Sequence, residues 1–431
     1  FIPTYLKLKN INIRKAHEFT NRFMTIVIVF SVVALILVEI FTNQIVFVFA
    51  SGFRGETFKF ACEFTKISVI SIIFSAFNYS YISILQAEEK QISAASVVIP
   101  YNIILILSIV FAYKYSIYFL PIGNILACIA EFILLSRFVK KTNYSYRVDF
   151  NFKNQNMENI LFSMIPVMLG VAVTDINTLV DKTVASNVIA GGITMLTYSL
   201  SLFEMVNGII TLPITNVFYP RISKSIINNF EDEIRENLQR EIGMLVWFLL
   251  PITFGIFILG KNLVEVLFLR GEFTGENVCV VTETLMMYGI GFISYGVNKV
   301  FSQMYYAFGD TKTPLKINFF AVPINIVFNL FLSQLLGLRG LAFATPLANT
   351  IVSVILYKRI RVKINIKLGM LKVITKCVIA TIIMCISILF IKECLNNSLV
   401  ILIIGVILGG GIYLIASYIL GVHKYFGLCH K

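Results

Sequence analysis

Long apolar stretches alternate with short polar ones along almost the whole chain. Stretches near 20 residues with few charges match the length an α-helix needs to cross the hydrocarbon core of a bilayer. They fall at about 23–49, 66–86, 92–112, 117–137, 160–184, 192–217, 241–269, 281–307, 315–336, 338–357, 371–391 and 398–421. The pattern predicts twelve membrane-spanning helices here, the longest of them tilted or ending outside the bilayer.

The breaks between the stretches repeat. Phe1-Ile2-Pro3 returns as Phe218-Tyr219-Pro220, and Phe53-Arg54-Gly55-Glu56 as Leu269-Arg270-Gly271-Glu272, about 217 residues on. Each copy continues with two apolar stretches, a polar turn (Ala87-Glu88-Glu89-Lys90; Gly309-Asp310-Thr311-Lys312) and a Pro-X-Asn (Pro100 to Asn102; Pro323 to Asn325). A hydrophobic chain built from two like halves is the signature of a transporter whose lobes rock about a shared site. The second copy has two stretches, 160–184 and 192–217, ahead of its Phe-Tyr-Pro. The first copy has none and starts at Phe, so the natural protein is expected to begin roughly 55–60 residues earlier, with fourteen helices in all.

The expected architecture is an all-α polytopic membrane protein of two pseudo-symmetric lobes. The first lobe covers 1–139, a basic linker and the second lobe cover 140–357, and a two-helix hydrophobic hairpin without a partner in the first lobe covers 358–431. Residues 5–22 and 222–240 hold equivalent places. Ser223 to Arg240 is amphipathic with mixed charges, and reads either as a helix along the inner membrane surface or as a solvated loop helix.

Composition agrees with the span pattern. Hydrophobic residues make up 58% of the chain and charged residues 14%, where a soluble protein carries about a quarter charged. The net charge of +13 raises the question of nucleic acid, but its placement answers it. When the loops are numbered alternately in and out, starting inside, lysines and arginines on the inner set outnumber those on the outer set roughly three to one. That bias is a topology signal, which places both ends of the chain in the cytoplasm. The seven cysteines are scattered singly and read as small apolar residues.

A charged group inside a span is costly and by default suggests function. Lys299 sits mid-span in Ser294-Tyr295-Gly296-Val297-Asn298-Lys299-Val300. It reads as a cation for an anionic substrate, or as a lysine paired with a neighbouring carboxylate. Asn177 and Asp181 share a helix face, and Ser201 and Glu204 share one on the next helix. Glu204 reads as a proton or ion carrier, or as a helix–helix hydrogen bond. Asn325 and Asn329 also share a face, with Thr345 one helix later. With Asp181 they offer one carboxylate and several neutral oxygens, the ligand set a hard cation prefers; a polar packing cluster is the other reading. No enzyme is expected: the three histidines lie at ends or loops, and no Gly-x-x-x-x-Gly-Lys-Ser/Thr loop is present. The driving force is expected to be an ion gradient, the membrane potential or the substrate gradient.

Several motifs occur in a telling order: Phe1-Ile2-Pro3, Ser51-Gly52-Phe53, Leu85-Gln86-Ala87, Pro100-Tyr101-Asn102, Ile176-Asn177 with Val180-Asp181-Lys182, Arg270-Gly271-Glu272-Phe273-Thr274, and Lys299-Val300 with Tyr305-Tyr306-Ala307 and Asp310-Thr311-Lys312-Thr313-Pro314. In this order they resemble the MurJ/MviN family of lipid II flippases, within the multidrug/oligosaccharidyl-lipid/polysaccharide exporter superfamily. The resemblance implies fourteen helices and alternating-access export of the undecaprenyl-pyrophosphate-linked peptidoglycan precursor across the bacterial plasma membrane. It implies a lipid-linked sugar pyrophosphate, membrane lipids and cell-wall synthesis proteins as partners, and no nucleic acid. Lys299, Ser201, Glu204, Tyr198 and Asn177 are the expected substrate-cavity residues. An arginine usual in the family aligns with Ser201, and the family's essential arginines on its first two helices precede Phe1. Some family members bind sodium; the matching positions are Asp181, Asn325, Asn329, Leu341 (through its carbonyl) and Thr345, with Asn329 in place of a carboxylate. Three alternatives stay open: a flippase for another polyprenyl-linked sugar, which Ser201 favours; a cation-coupled drug antiporter; and a nontransporting scaffold for wall synthesis.

Overall fold

The computed structural model describes residues 1–151, 168, 172, 175–228, 230–364 and 369–425. The chain divides into two compact units, Phe1–Val171 and Ala172–Lys431. Among the described residues every regular element is helical.

The first unit holds α1 (Ile2–Ile11), α2 (Ile13–Ile40), α3 (Thr42–Phe49), α4 (Gly55–Val69), α5 (Ser71–Ala87), α6 (Gln91–Ala95), α7 (Val98–Lys114) and α8 (Phe119–Lys140). The second holds α9 (175–188), α10 (Gly192–Val206), a π turn (Asn207–Thr211), α11 (Leu212–Ile227), α12 (Glu231–Phe268), α13 (Gly275–Ala307), α14 (Lys312–Leu336), α15 (Leu338–Ile364), α16 (Leu371–Cys394) and α17 (Ser398–Ile419). Ten helices among the described residues are long and apolar enough to cross a membrane, or eleven if α4 and α5, bent by 42° at their junction, count as one span. About half of the predicted stretch 160–184 falls outside the described residues. Apolar residues on these helices split between packed and outward-facing positions. On α7, Ile106 is 60% exposed and Ser108 is buried, the reverse of a soluble helix and the arrangement a lipid solvent selects.

The repeat has a structural counterpart. Gly55 and Gly271, each in an Arg-Gly-Glu, adopt φ of +56° and +60°, backbone that glycine takes at little cost. The segment Ser223 to Arg240 departs from both readings given above. It is not one helix: α11 ends at Ile227 and α12 begins at Glu231, three acidic residues in its first turn complementing the helix dipole. Ser225 Oγ, at the end of α11, donates to Glu233 Oε2 on α12 (3.1 Å), which fastens the corner.

In the first unit, polar bonds tie the helix ends together. Glu88, just past α5, accepts from Tyr5 Oη and Lys9 Nζ, both at 2.7 Å, so α1 is clamped to α5. Arg22 on α2 pairs with Asp149 at 2.8 Å. Burial alone would push the Glu88 carboxyl up, but the bonds from Lys9 and Tyr5 and the charges of Lys9 and Lys90 hold it below the usual carboxylate range. A carboxyl depressed in the folded state stabilises above its unfolded pKa, and that stability is lost as pH falls through the folded value. Glu88→Gln is therefore expected to lower stability by about 1 kcal/mol at pH 7, a charged hydrogen bond discounted for partial exposure. The difference from the parent should start to shrink as pH falls through the ordinary glutamate value of about 4.3 and close only below the depressed folded value; detergent-solubilised melting curves at pH 7 and across the acid range check this.

The C-terminal hairpin packs within the second unit. Its helices α16 and α17 close a small core with Leu259 of α12 through Ala380, Met384, Ile388, Ile401, Tyr413 and Ala416. Gly409 permits the hairpin itself: a Cβ there would lie 2.7 Å from Ile388 Cδ1. Tyr413 Oη donates to the Trp247 carbonyl (2.6 Å) and Lys392 Nζ to that of Ile258 (3.1 Å), so the hairpin is stapled along α12 at two levels. An apolar groove of about 370 Å³ runs where α12, α16 and α17 meet, lined by Trp247, Leu259, Met384, Gly405 and Tyr413 among others.

Candidate functional site

Helix α13 carries a polar stripe on an otherwise apolar surface. Tyr295, Lys299, Ser302, Gln303 and Tyr306 recur at three- and four-residue intervals and so share a face. Together with Asn298, with Asn216 and Tyr219 of α11, Asn318 of α14 and Asn349 of α15, they line a cavity of about 650 Å³. Among the described residues, five carboxamides, three phenols and one hydroxyl surround one cation, with no acid on the wall.

Close packing of α13 on α15 orders this wall. A Cβ on Gly291 would sit 2.7 Å from Pro346 Cγ, so only glycine lets the helices meet at this level. The approach lets Ser353 Oγ donate to the Ser294 carbonyl (3.0 Å) and Asn298 Nδ2 to Asn349 Oδ1 (3.1 Å). Ser302 Oγ in turn donates to Asn298 Oδ1 (3.2 Å). Tyr295 is braced edge-on by Phe203, ring centres 5.8 Å apart. Lys299 is half-buried and takes part in none of the ion pairs formed among the described residues. Gln303 Oε1 is buried with no hydrogen-bond donor among the described residues.

The four side chains read as a polar cluster meet within the second unit. Asn329, fully buried on α14, donates through Nδ2 to Asp181 Oδ1 on α9 and to Asn325 Oδ1 one turn earlier (2.7 Å). Asn325 Nδ2 reaches Thr345 Oγ1 on α15 at 3.5 Å. Leu341, one turn before Thr345, is fully buried. Asn329 Oδ1 is buried with no donor.

The other expected cavity residues lie elsewhere. Tyr198 stacks on Phe268 at 4.6 Å and meets Phe273 edge-on, a packing role against the second unit's core. Ser201 is exposed and its hydroxyl donates back to the Thr197 carbonyl at 2.9 Å. Glu204, one turn on, is exposed too. Asn177 is half-buried, and its Oδ1 meets no donor among the described residues. None of the four lines the cavity of Lys299. The sequence reading missed Asn298 and Gln303, which sit beside and one turn after Lys299 on α13, and Asn349, which lies on α15 and carried no signal of its own.

A cationic, amide-rich cavity and a one-carboxylate cluster inside a helical membrane unit suit a transporter of polar anionic cargo. Comparison with known proteins agrees. The family model for lipid II flippase MurJ matches residues 1–408. A probable lipid II flippase MurJ of Rickettsia prowazekii is 26% identical over 443 residues, covering 99% of this chain and 87% of that protein. One from Vibrio cholerae is 32% identical over 239 residues, covering 56% of this chain and 46% of its own length. Among solved structures, a lipid II flippase MurJ in an inward closed conformation superposes with a TM-score of 0.82 at 23% identity, covering 95% of this chain and 85% of that one. An inward-facing multidrug resistance MATE transporter gives 0.67 at 14% identity over 82% of each chain. Matched by the family model from its first residue into α17, the chain belongs to the MurJ family of lipid II flippases.

Proposed function

We propose that this chain carries the undecaprenyl-pyrophosphate-linked peptidoglycan precursor, lipid II, from the inner to the outer leaflet of the bacterial plasma membrane by alternating access. The observation that carries the reading, beside family membership, is Lys299 in a polar cavity within an apolar unit, in no ion pair among the described residues. A sugar-pyrophosphate head cannot cross hydrocarbon, so a polar cavity must carry it while the lipid tail stays outside. Pyrophosphate calls for lysine or arginine. An inside-negative potential favours outward movement of an anion by about 2.3 kcal/mol per charge per 100 mV. The loop-charge bias puts both ends of the chain in the cytoplasm, where wall-synthesis proteins would meet it. A bacterial strain depleted of its own lipid II flippase tests the reading. The full-length protein is expected to restore growth, and failure despite membrane expression at normal levels would overturn it.

Ser201 favours a second reading. Where the family usually has an arginine, this side chain is neutral and bonded to its own helix, which suits a different polyprenyl-linked sugar. Rescue of a capsule or exopolysaccharide flippase mutant, without rescue of the lipid II mutant, is the outcome that would select it.

A small monovalent cation fits the Asp181 cluster. Asn329 currently holds two of the relevant oxygens with its amide hydrogens, while its own oxygen lacks a donor. Amide nitrogen and oxygen exchange places by a half-turn, which would bring a third oxygen to Asp181 and Asn325. In that state Asp181, Asn325, Asn329 and Thr345 would hold sodium through side chains and Leu341 through its carbonyl. The ion would supply charge compensation for Asp181, tying α9, α14 and α15 together.

A further inference from the structure

Helices α5 and α8 of the first unit carry polar side chains at matching heights. Ser71 meets Asn124 (3.4 Å), Ser75 meets Cys128 (3.9 Å between oxygen and sulfur) and Asn78 meets Glu131 (3.0 Å), three levels one turn apart. Beyond the third level the interface is apolar, with Ile84, Leu85 and Leu135 fully buried. The polar levels thus end on a carboxylate. Glu131 is half-buried and takes part in none of the ion pairs formed among the described residues. A charge in that setting is costly without a counter-ion.

Asn78 is 2% exposed. Its Nδ2 donates both to Glu131 Oε2 (3.0 Å) and to the Cys128 carbonyl (3.1 Å), while its own Oδ1 is buried with no donor among the described residues. An acceptor left unmet in this way costs about 1–3 kcal/mol. A half-turn of the amide puts Oδ1 where Nδ2 now stands, at nearly the same distances from the carboxylate and carbonyl oxygens. Three oxygens so placed, one of them charged, repel one another unless a cation lies among them, and they are the ligand set of a hard ion. Asn329 of the second unit stands in the same way between Asp181 and Asn325, its oxygen also without a donor. Ser75, one level from Asn78, opens on a cavity of about 400 Å³ between α2 and α5, an approach for a hydrated ion.

We infer that the first unit holds a sodium site of its own, formed by Glu131 Oε2, the Cys128 carbonyl and Asn78 Oδ1 after its half-turn. The site goes beyond the proposed function and does not depend on the cargo. A proton is the competing occupant, but a proton needs one acceptor and this geometry supplies three.

Hydrogen–deuterium exchange of the purified full-length protein in detergent tests this, because it reads each unit separately. Exchange is compared at fixed pH in sodium chloride and in N-methylglucamine chloride of equal ionic strength. At ten times its dissociation constant, sodium is expected to slow exchange about tenfold at amides of α5 and α8 that open only when the ion leaves. Glu131→Gln keeps the shape and an acceptor for Asn78 but removes the charge. It should abolish this protection and leave any response of α9, α14 and α15 unchanged. Asp181→Asn should leave the response of α5 and α8 intact. Asn78→Asp needs no half-turn and should deepen that response; it covers the case in which the glutamine variant does not fold. Identical exchange of α5 and α8 in the two salts, in the folded parent, overturns the inference. So does protection that persists in folded Glu131→Gln, or an Asn78→Asp variant no more responsive to sodium than its parent. A change that follows pH and needs Glu131 but not sodium would make the carboxyl a proton site and end the sodium reading. The proposed function stands or falls separately, on rescue of growth.

Discussion

Lys299→Met is expected to stop transport without harming the fold. The methionine keeps most of the lysine's length and removes a half-buried charge that has no ion-pair partner among the described residues. Replacing a poorly compensated charge in a low-dielectric setting by an apolar group is neutral or stabilising, so the melting temperature should hold or rise. The phosphate contact is another matter. Losing a charge-assisted bond to a desolvated phosphate costs about 2–5 kcal/mol, a drop in transport of roughly thirty- to several thousand-fold. Growth of a flippase-depleted strain carrying the variant, with a measurement of precursor retained in the inner leaflet, checks both halves. Lys299→Arg should recover part of the activity. Unimpaired growth with Lys299→Met would remove this residue from the substrate path.

The second large effect is expected at Asn329. The parent cluster satisfies Asp181 and Asn325 with amide hydrogens, so a cation enters only at the cost of breaking these bonds by the half-turn of Asn329 and binds the more weakly for it. Asn329→Asp removes those hydrogens and sets a second carboxylate beside Asp181, a pair that does not stay doubly ionised when buried without a counter-ion. Stability should then depend on sodium. At a hundred times its dissociation constant the ion adds about 2.7 kcal/mol, a rise in melting temperature of about 5–10 °C for a unit of this size. The parent should respond to sodium by much less. Melting curves in sodium chloride and in potassium chloride of equal ionic strength read the difference. A variant no more sodium-sensitive than its parent would rule out the cluster as a cation site.

Fold class was plain in the sequence because the bilayer imposes it: long apolar runs have few other destinations, and the two Arg-Gly-Glu turns mark the repeat. Element ends were harder. Ser223 to Arg240 looked like one amphipathic segment because a corner between two helices keeps the same charge pattern as a surface helix, and the sequence between Ile227 and Glu231 carries no proline or glycine to announce it. The Asp181 cluster was legible from i, i+4 spacing together with the family resemblance. The cavity was only partly so. Lys299 drew notice because a charge in a span is rare, whereas Gln303 and Asn349 are neutral and cannot be told from ordinary interhelical hydrogen-bonders without knowing which helices they meet. Tyr198 entered the expected cavity through the family resemblance; its ring stacks instead on Phe268.

The π turn at Asn207–Thr211 has a bearing on which part of α11 is usable. One extra residue in a helical turn rotates everything downstream by about 100° relative to an uninterrupted α-helix. Asn207 and Thr211 hold the turn by bonding to Phe203 O and to each other, at 3.1 and 3.0 Å. Asn216 and Tyr219 reach the cavity wall only in that rotated register. The bulge thus acts as an indexing device, and a single-residue deletion at Gly208 would swing both side chains off the wall while leaving α10 in its seat.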